Sequence, residues 1–246
     1  GLESALTEVI DSGNLSFAVS PRDADLCELY FLCVGTPQAD DTGKADTSYV
    51  FEAGLELAAV ISSETVVAGK STVPVGTARE LQRQMSEVCG FEVLLAWNPE
   101  FLREGTALED SLRPDRIVIG SANSGSKAGD AVLRCYENLV AGGVPVIETD
   151  LETSELVKVA ANAFLATKIS FINGMAEVAE ASGADAVMLA KAIGYDERIG
   201  NKFLRTGAGF GGGCLPKDIR GFAARAQELG VGEAVGFLSQ VDQINK

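Results

Sequence analysis

Thr65-Val66-Val67-Ala68-Gly69-Lys70-Ser71-Thr72-Val73-Pro74-Val75-Gly76-Thr77 begins as a short apolar strand and passes through a polar turn marked by Pro74 and Gly76. It leads into an amphipathic segment from Thr77 to Val88, and a further short run, Glu92 to Ala96, follows. Strand, helix and strand in close succession predict a βαβ unit with parallel strands and a helix over one face of the sheet. The rhythm extends both ways. Ser16 to Val19 and Leu29 to Val34 read as strands before it, and Arg116 to Ile119 and Pro145 to Glu148 as strands after it. Ser48 to Ile61 and Ser126 to Asn138 read as helices between them. Residues 1–150 are therefore expected to form a parallel sheet covered by helices.

Ligands of such sheets bind beyond the carboxyl ends of the strands. Three predicted strand ends carry distinctive residues: Val34-Gly35-Thr36-Pro37, Lys70 to Thr77, and Trp97-Asn98-Pro99-Glu100-Phe101-Leu102-Arg103-Glu104-Gly105. Turn punctuation by Gly, Pro and Asn also accounts for them. Gly69-Lys70-Ser71 imitates the end of a phosphate-binding P-loop, but the glycine such a loop needs upstream is Glu64 here.

From about Asp150 the strands give way to helices, and residues 151–246 read as an α-helical second domain. Thr153 to Ser182 contains no proline and one interior glycine, Gly174. Lys158 and Asn162 lie four positions apart on it and share a face, with apolar neighbours Leu156, Val157, Val159, Ala160 and Ala161. A shorter helix, Asp185 to Ile193, precedes the Gly-rich stretch Gly207-Ala208-Gly209-Phe210-Gly211-Gly212-Gly213-Cys214-Leu215-Pro216-Lys217-Asp218. Pro216 suits the first turn of a helix, which places Cys214 at the positive end of the helix dipole with Lys217 nearby. That setting favours thiolate and nucleophilic character; the alternative is a Gly-rich turn followed by an inert cysteine. Gly207, Gly209 and Gly212 match the G-x-G-x-x-G spacing, but the polar Ile199 to Thr206 before them is no buried strand, so the match is read as false.

Composition narrows the function. The 246 residues carry 20 Lys plus Arg against 35 Asp plus Glu, a net charge of −15, with no basic run, so neither nucleic acid nor an anionic membrane is an expected partner. The absence of histidine removes histidine bases and histidine metal ligands, leaving acid–base work to Lys, Asp, Glu and Cys. Cys27, Cys33, Cys89, Cys135 and Cys214 form no C-x-x-C pair, so no metal site is expected and a reducing cytoplasm is the predicted location. No apolar run reaches the length of a membrane span.

Taken in order, Ser71-Thr72-Val73-Pro74-Val75-Gly76-Thr77, Asn98 to Gly105, Lys158-Val159-Ala160-Ala161-Asn162 and Phe210 to Asp218 resemble the UDP-glucose/GDP-mannose dehydrogenase family over essentially the whole chain. The resemblance implies a truncated Rossmann-like parallel-sheet domain followed by an α-helical dimerisation domain. It also implies oxidation of the primary alcohol of a nucleotide sugar, UDP-glucose first, to a carboxylate, with two NAD and a covalent cysteine intermediate.

In this reading Cys214 is the nucleophile, Lys158 and Asn162 stabilise the oxyanion, and Asp218 orients a water or holds Lys158. Thr72 and Glu100 position the hydrolytic water, with Glu100 acting in acid–base catalysis. NAD is expected to meet Val34, Gly35, Thr36, Pro37, Gln38, Ser71, Thr72, Val73, Glu104 and Cys214 to Lys217. The sugar nucleotide is expected at Glu100, Phe101, Leu102, Arg103 and Glu104, at Lys158 to Asn162, and at Arg205 to Gly211, including Phe210. Arg198 matches an arginine that reaches the neighbouring subunit's substrate, implying a homodimer built on the long helix.

Relatives start with a strand, a G-x-G-x-x-G turn and a ribose-binding acidic residue, and they continue past the last helix into another α/β domain. Neither feature is found here, so the chain is expected to be the middle of such an enzyme. GDP-mannose or a UDP-N-acetylhexosamine remains an alternative substrate, and a non-catalytic dimerisation and partial binding module is the competing class.

Overall fold

The computed structural model describes residues 2–23, 27–39 and 43–246. It divides into two compact units, Gly1–Thr36 with Thr47–Leu156, and Pro37–Asp46 with Val157–Lys246.

The first unit is built on a five-stranded sheet in the order β1 (Leu29–Leu32), β2 (Val66–Gly69), β3 (Leu94–Trp97), β4 (Ile117–Ser121) and β5 (Val146–Thr149). β1, β2 and β3 are parallel, with Leu32 opposite Gly69 and Gly69 opposite Trp97. Their connections are α2 (Ser48–Ala58) and α3 (Thr77–Cys89). α1 (Leu2–Asp11) precedes the sheet in sequence.

The sheet departs from the all-parallel expectation at β4, which pairs antiparallel with β3 before β5 pairs parallel with β4. The connection from β3 holds only the six-residue α4 (Ala107–Leu112). So short a helix cannot carry the chain back along the sheet for a parallel return. Ser16 to Val19 is not a strand. Phe17 and Val19 are 77% and 101% exposed, and among the described residues no ladder reaches them. A four-residue apolar alternation without a partner for its backbone groups gains nothing from extension. The expected helix from Ser126 to Asn138 is interrupted at Tyr136, between α5 (Lys127–Cys135) and α6 (Glu137–Ala141).

Alternation sorts the side chains to the two faces. Val67, Leu95 and Trp97 pack with Val50 and Leu57 of α2 and Leu81 and Met85 of α3. Val66, Ala68, Ala96, Ile117 and Ile119 pack with Ala128, Ala131 and Val132 of α5. Gly69 is required where the Trp97 ring crosses β2, because a Cβ there would lie 2.2 Å from Cζ3 of that ring.

α7 (Leu151–Ser182) runs for 32 residues, capped by Asp150, which accepts from Thr153 N at 2.7 Å. Its Glu155, in the first unit, is buried and accepts from Gly76 N and Ala78 N, each at 2.6 Å. Gly76 takes φ +94° at the cap position of α3, where its own side chain could offer nothing, so Glu155 caps that helix from a distance.

The second unit holds the rest of α7 with α8 (Ala186–Gly194), α9 (Leu215–Glu228) and α10 (Phe237–Asn245). Its core is Ala163 and Ala166 of α7, Ile219 of α9, and Leu238 and Val241 of α10, with Phe210 and Phe222 packed against them.

Candidate active site

In the first unit the parallel strands β1, β2 and β3 bring their carboxyl ends to one side of the sheet, the side where ligands of such sheets bind. Two of the three loops there are tied together. Ser71 Oγ donates to Val34 O at 2.6 Å, and Thr36 Oγ1 donates to Thr72 O at 2.7 Å. Thr36, Ser71 and Val73 are buried, whereas no atom lies within 4 Å of where a Cβ on Gly35 would stand. Fixed loops with an open glycine backbone fit close approach by a flat cofactor. Pro37 and Gln38 belong to the second unit, where Asp46 N donates to Pro37 O at 2.8 Å and Gln38 bridges Ala45.

The third loop starts at Asn98. Glu100 Oε2 accepts from Leu102 N at 2.6 Å, which folds the carboxylate over its own turn. The Phe101 ring lies 3.9 Å below the Arg116 guanidinium. Arg103, expected at the substrate, forms a bidentate pair with the buried Asp110, which also accepts from Arg103 N at 2.7 Å. The guanidinium holds the Asp110 carboxyl far below the usual carboxylate range. Leu102 and Glu104 are exposed. A cavity of about 190 Å³ opens here, with Lys70, Glu100, Phe101, Arg116 and Tyr136 among its walls.

In the second unit Lys158 and Asn162 are both buried, Lys158 at 7% exposure, so neither side chain stands in bulk solvent. Asn162 Nδ2 donates to Asp218 Oδ2 at 2.6 Å, and Lys217 Nζ lies 2.7 Å from Asp218 Oδ1. Lys217 thus directs its charge onto Asp218. Cys214 occupies the cap position of α9, with Pro216 in the first turn, and is exposed. Asp218 N donates to Cys214 O at 2.9 Å, so the buried carboxylate stands one turn from the thiol-bearing residue.

The glycine loop is held by two asparagines. Asn173 Oδ1 accepts from Gly207 N at 3.0 Å, and Asn245 clamps Phe210 by accepting from its N at 2.7 Å and donating to its O at 2.8 Å. Arg205 and Gly211 are exposed. Arg198 pairs with Asp196, Nη2 to Oδ2 at 2.7 Å, while its side chain is 89% exposed.

Tyr136, Glu155, Asn173 and Asn245 were not singled out from the sequence, and Asn98 entered only as part of the Asn98 to Gly105 stretch. The one signal available was Glu155, an acid one turn before Lys158 on an otherwise apolar helix face. All five cysteines are free, and no group of metal-ligating residues occurs among the described residues. No helix among the described residues is long and apolar enough to cross a membrane.

Comparison with known proteins returns two family models: the NAD binding domain of the UDP-glucose/GDP-mannose dehydrogenase family over residues 1–140, and the central domain of that family over residues 152–246. A UDP-glucose 6-dehydrogenase of Rhizobium meliloti (strain 1021) is 44% identical over 230 residues, covering 93% of this chain and 53% of that protein. The solved structure of a UDP-glucose dehydrogenase from the archaeon Pyrobaculum islandicum superposes with a TM-score of 0.91 at 39% identity, covering 100% of this chain and 56% of that one. A UDP-D-ManNAc dehydrogenase from Pyrococcus horikoshii gives 0.85 at 26% identity, covering 98% of this chain and 55% of that one. The chain spans about half the length of the curated relatives it matches.

Proposed function

Because this chain belongs to the UDP-glucose/GDP-mannose dehydrogenase family, we propose that the protein oxidises the primary alcohol of a nucleotide sugar, UDP-glucose first among them, to the carboxylate. The observation that carries the reading is the cluster of buried Asn162 and Asp218 with the half-buried Lys217 at the start of the helix that presents Cys214. NAD, when bound against Val34, Gly35, Thr36 and Ser71 to Val73, supplies the hydride acceptor for both oxidations.

The chain's own residues do the rest. An alcohol becomes an acid only through an aldehyde that must be retained and made able to lose a second hydride. Addition of the Cys214 thiolate to the aldehyde carbon achieves both, forming a C–S bond and an alkoxide. Lys158 and Asn162 donate hydrogen bonds to that oxygen as charge develops on it, and Asp218 fixes the Asn162 carboxamide so that its remaining N–H is aimed without reorganisation. Loss of the second hydride leaves a thioester on Cys214. Water, held by Thr72 and Glu100, adds to the thioester carbon; Glu100 takes one of its protons, the C–S bond breaks to return the thiolate, and the acid released gives its remaining proton to solvent to leave the carboxylate.

We also assign the protein a homodimeric state. Phe164, Phe171 and Val178 recur at seven-residue spacing on α7 and remain exposed, an apolar seam suited to a second helix. Arg198 then reaches the partner's substrate.

The test is full-length protein with NAD and a panel of nucleotide sugars. Two NADH per sugar and a carboxylate product are expected with UDP-glucose. No NADH with any nucleotide sugar overturns the reading.

A further inference from the structure

Lys70 has no part in the chemistry above, and the P-loop that its sequence imitates is not formed. It nevertheless stands at a junction. Lys70 follows β2 and immediately precedes Ser71 and Thr72; Asn98 follows β3 and lies two residues before Glu100; Tyr136 interrupts the helix between α5 and α6. Their polar ends close a triangle. Lys70 Nζ donates to Asn98 Oδ1 at 2.9 Å and to Tyr136 Oη at 3.0 Å, and Tyr136 Oη donates to Asn98 Oδ1 at 2.7 Å. The rings of Phe31 and Tyr136 lie 5.9 and 5.7 Å from the ammonium.

Asn98 is 2% exposed, and its carboxamide and backbone N are all held. Its Nδ2 donates to Val118 O at 2.7 Å and its backbone N to Gly69 O at 2.7 Å. An ammonium has only donors, so the carboxamide oxygen must face Lys70. From this anchor the chain passes through the buried Pro99, whose φ is fixed, directly to Glu100. Few backbone torsions separate Asn98 from Glu100, and Lys70 is the residue directly before Ser71 and Thr72.

We propose that Lys70 and Tyr136 are positioning residues for the hydrolysis step, holding the Glu100 loop in register with Thr72 through the Asn98 carboxamide. This rests on the proposed reading of Glu100 and Thr72 as the groups that hold the attacking water. Loosening the triangle slows attack on the thioester while leaving its formation at Cys214 to proceed, so the acyl-enzyme accumulates. A residue that only stabilised the fold would lower the active fraction without populating any covalent intermediate.

The experiment uses full-length protein mixed with NAD and UDP-glucose, quenched during turnover and examined by intact-mass spectrometry. Wild type, Glu100→Gln, Lys70→Met and Tyr136→Phe are compared. Glu100→Gln is expected to accumulate the acyl-enzyme. Lys70→Met and Tyr136→Phe are expected to do the same, with steady-state turnover reduced roughly tenfold by loss of the ammonium's two hydrogen bonds in the first and by less in the second. KM for NAD is expected to stay within about twofold, since no cofactor contact is removed. Tyr136→Phe keeps the ring and decides the matter if Lys70→Met fails to fold. Accumulation in Glu100→Gln with none in Tyr136→Phe and Lys70→Met overturns the positioning role alone. No accumulation in Glu100→Gln overturns the reading of Glu100 and this assignment with it.

Discussion

Asn162 Nδ2 lies 2.6 Å from Asp218 Oδ2, joining a side chain of the long helix to one in the first turn of the helix that carries the candidate nucleophile. The bond leaves the second N–H of Asn162 to act as a donor and settles which way the carboxamide faces. Replacing Asp218 with asparagine keeps the shape but offers Asn162 and Lys217 a neutral partner. Asp218→Asn is expected to lower kcat tenfold or more, approaching the roughly hundredfold loss seen when an oxyanion donor is removed. The substrate KM should change much less. Unchanged kcat in the variant would show that the Asn162 orientation has no catalytic consequence.

Glu155 caps α3 through two backbone bonds while sitting on α7. Glu155→Ala strands the buried Ala78 N–H and the half-buried Gly76 N–H and is expected to destabilise the first unit by about 2 kcal/mol. Glu155→Gln, which keeps one acceptor oxygen, should cost about half as much. Urea unfolding followed by Trp97 fluorescence reports this, because Trp97 is fully buried in the same core. Equal stability of Glu155→Ala and wild type would remove the capping role.

The Arg103–Asp110 pair makes acid stability a further test. The Asp110 carboxyl is held below its unfolded value mainly by its hydrogen bond to Arg103. Its contribution is therefore fully present above about pH 4, the ordinary value for an unfolded Asp, and is lost as pH falls toward the depressed folded value. Asp110→Asn should flatten the fall in the urea midpoint below about pH 5, relative to wild type. Parallel curves for the two proteins would exclude Asp110 as a source of acid sensitivity.

For Arg198, the shared-site reading and the local pair with Asp196 make different predictions. An exposed pair of this kind contributes about 0 to 1 kcal/mol, so Arg198→Ala should fold normally. If Arg198 reaches the partner's substrate, the Arg198→Ala and Cys214→Ala homodimers are each inactive, yet mixing them restores activity in one of two sites. A fully active Arg198→Ala homodimer eliminates the shared site.

Five strands were legible because Leu29, Val66, Leu94, Ile117 and Val146 open short apolar runs bounded by Gly, Pro or Asn. Ser16 to Val19 carries the same pattern and fails because a strand depends on its neighbour, which a local pattern does not contain. The reversal at β4 was hidden for a related reason: direction depends on how far the intervening α4 can carry the chain, not on the composition of β4. Lys158, Asn162, Cys214 and Asp218 could be singled out from helical spacing and the Gly-rich loop. Tyr136 and Asn245 could not. Each works through a partner far along the chain, Tyr136 reaching Lys70 and Asn245 reaching Phe210, and no local spacing encodes such a meeting.

In the proposed reaction Cys214 forms a covalent acyl intermediate on the way to the carboxylate. The most direct measurement is intact-mass spectrometry, with product analysis, of full-length Cys214→Ala and Cys214→Ser after incubation with UDP-glucose and NAD. No carboxylate and no adduct are expected with Cys214→Ala. With Cys214→Ser a persistent ester is expected, because an alkoxide leaves far less readily than a thiolate. Carboxylate formed by Cys214→Ala at the wild-type rate would contradict this role for Cys214.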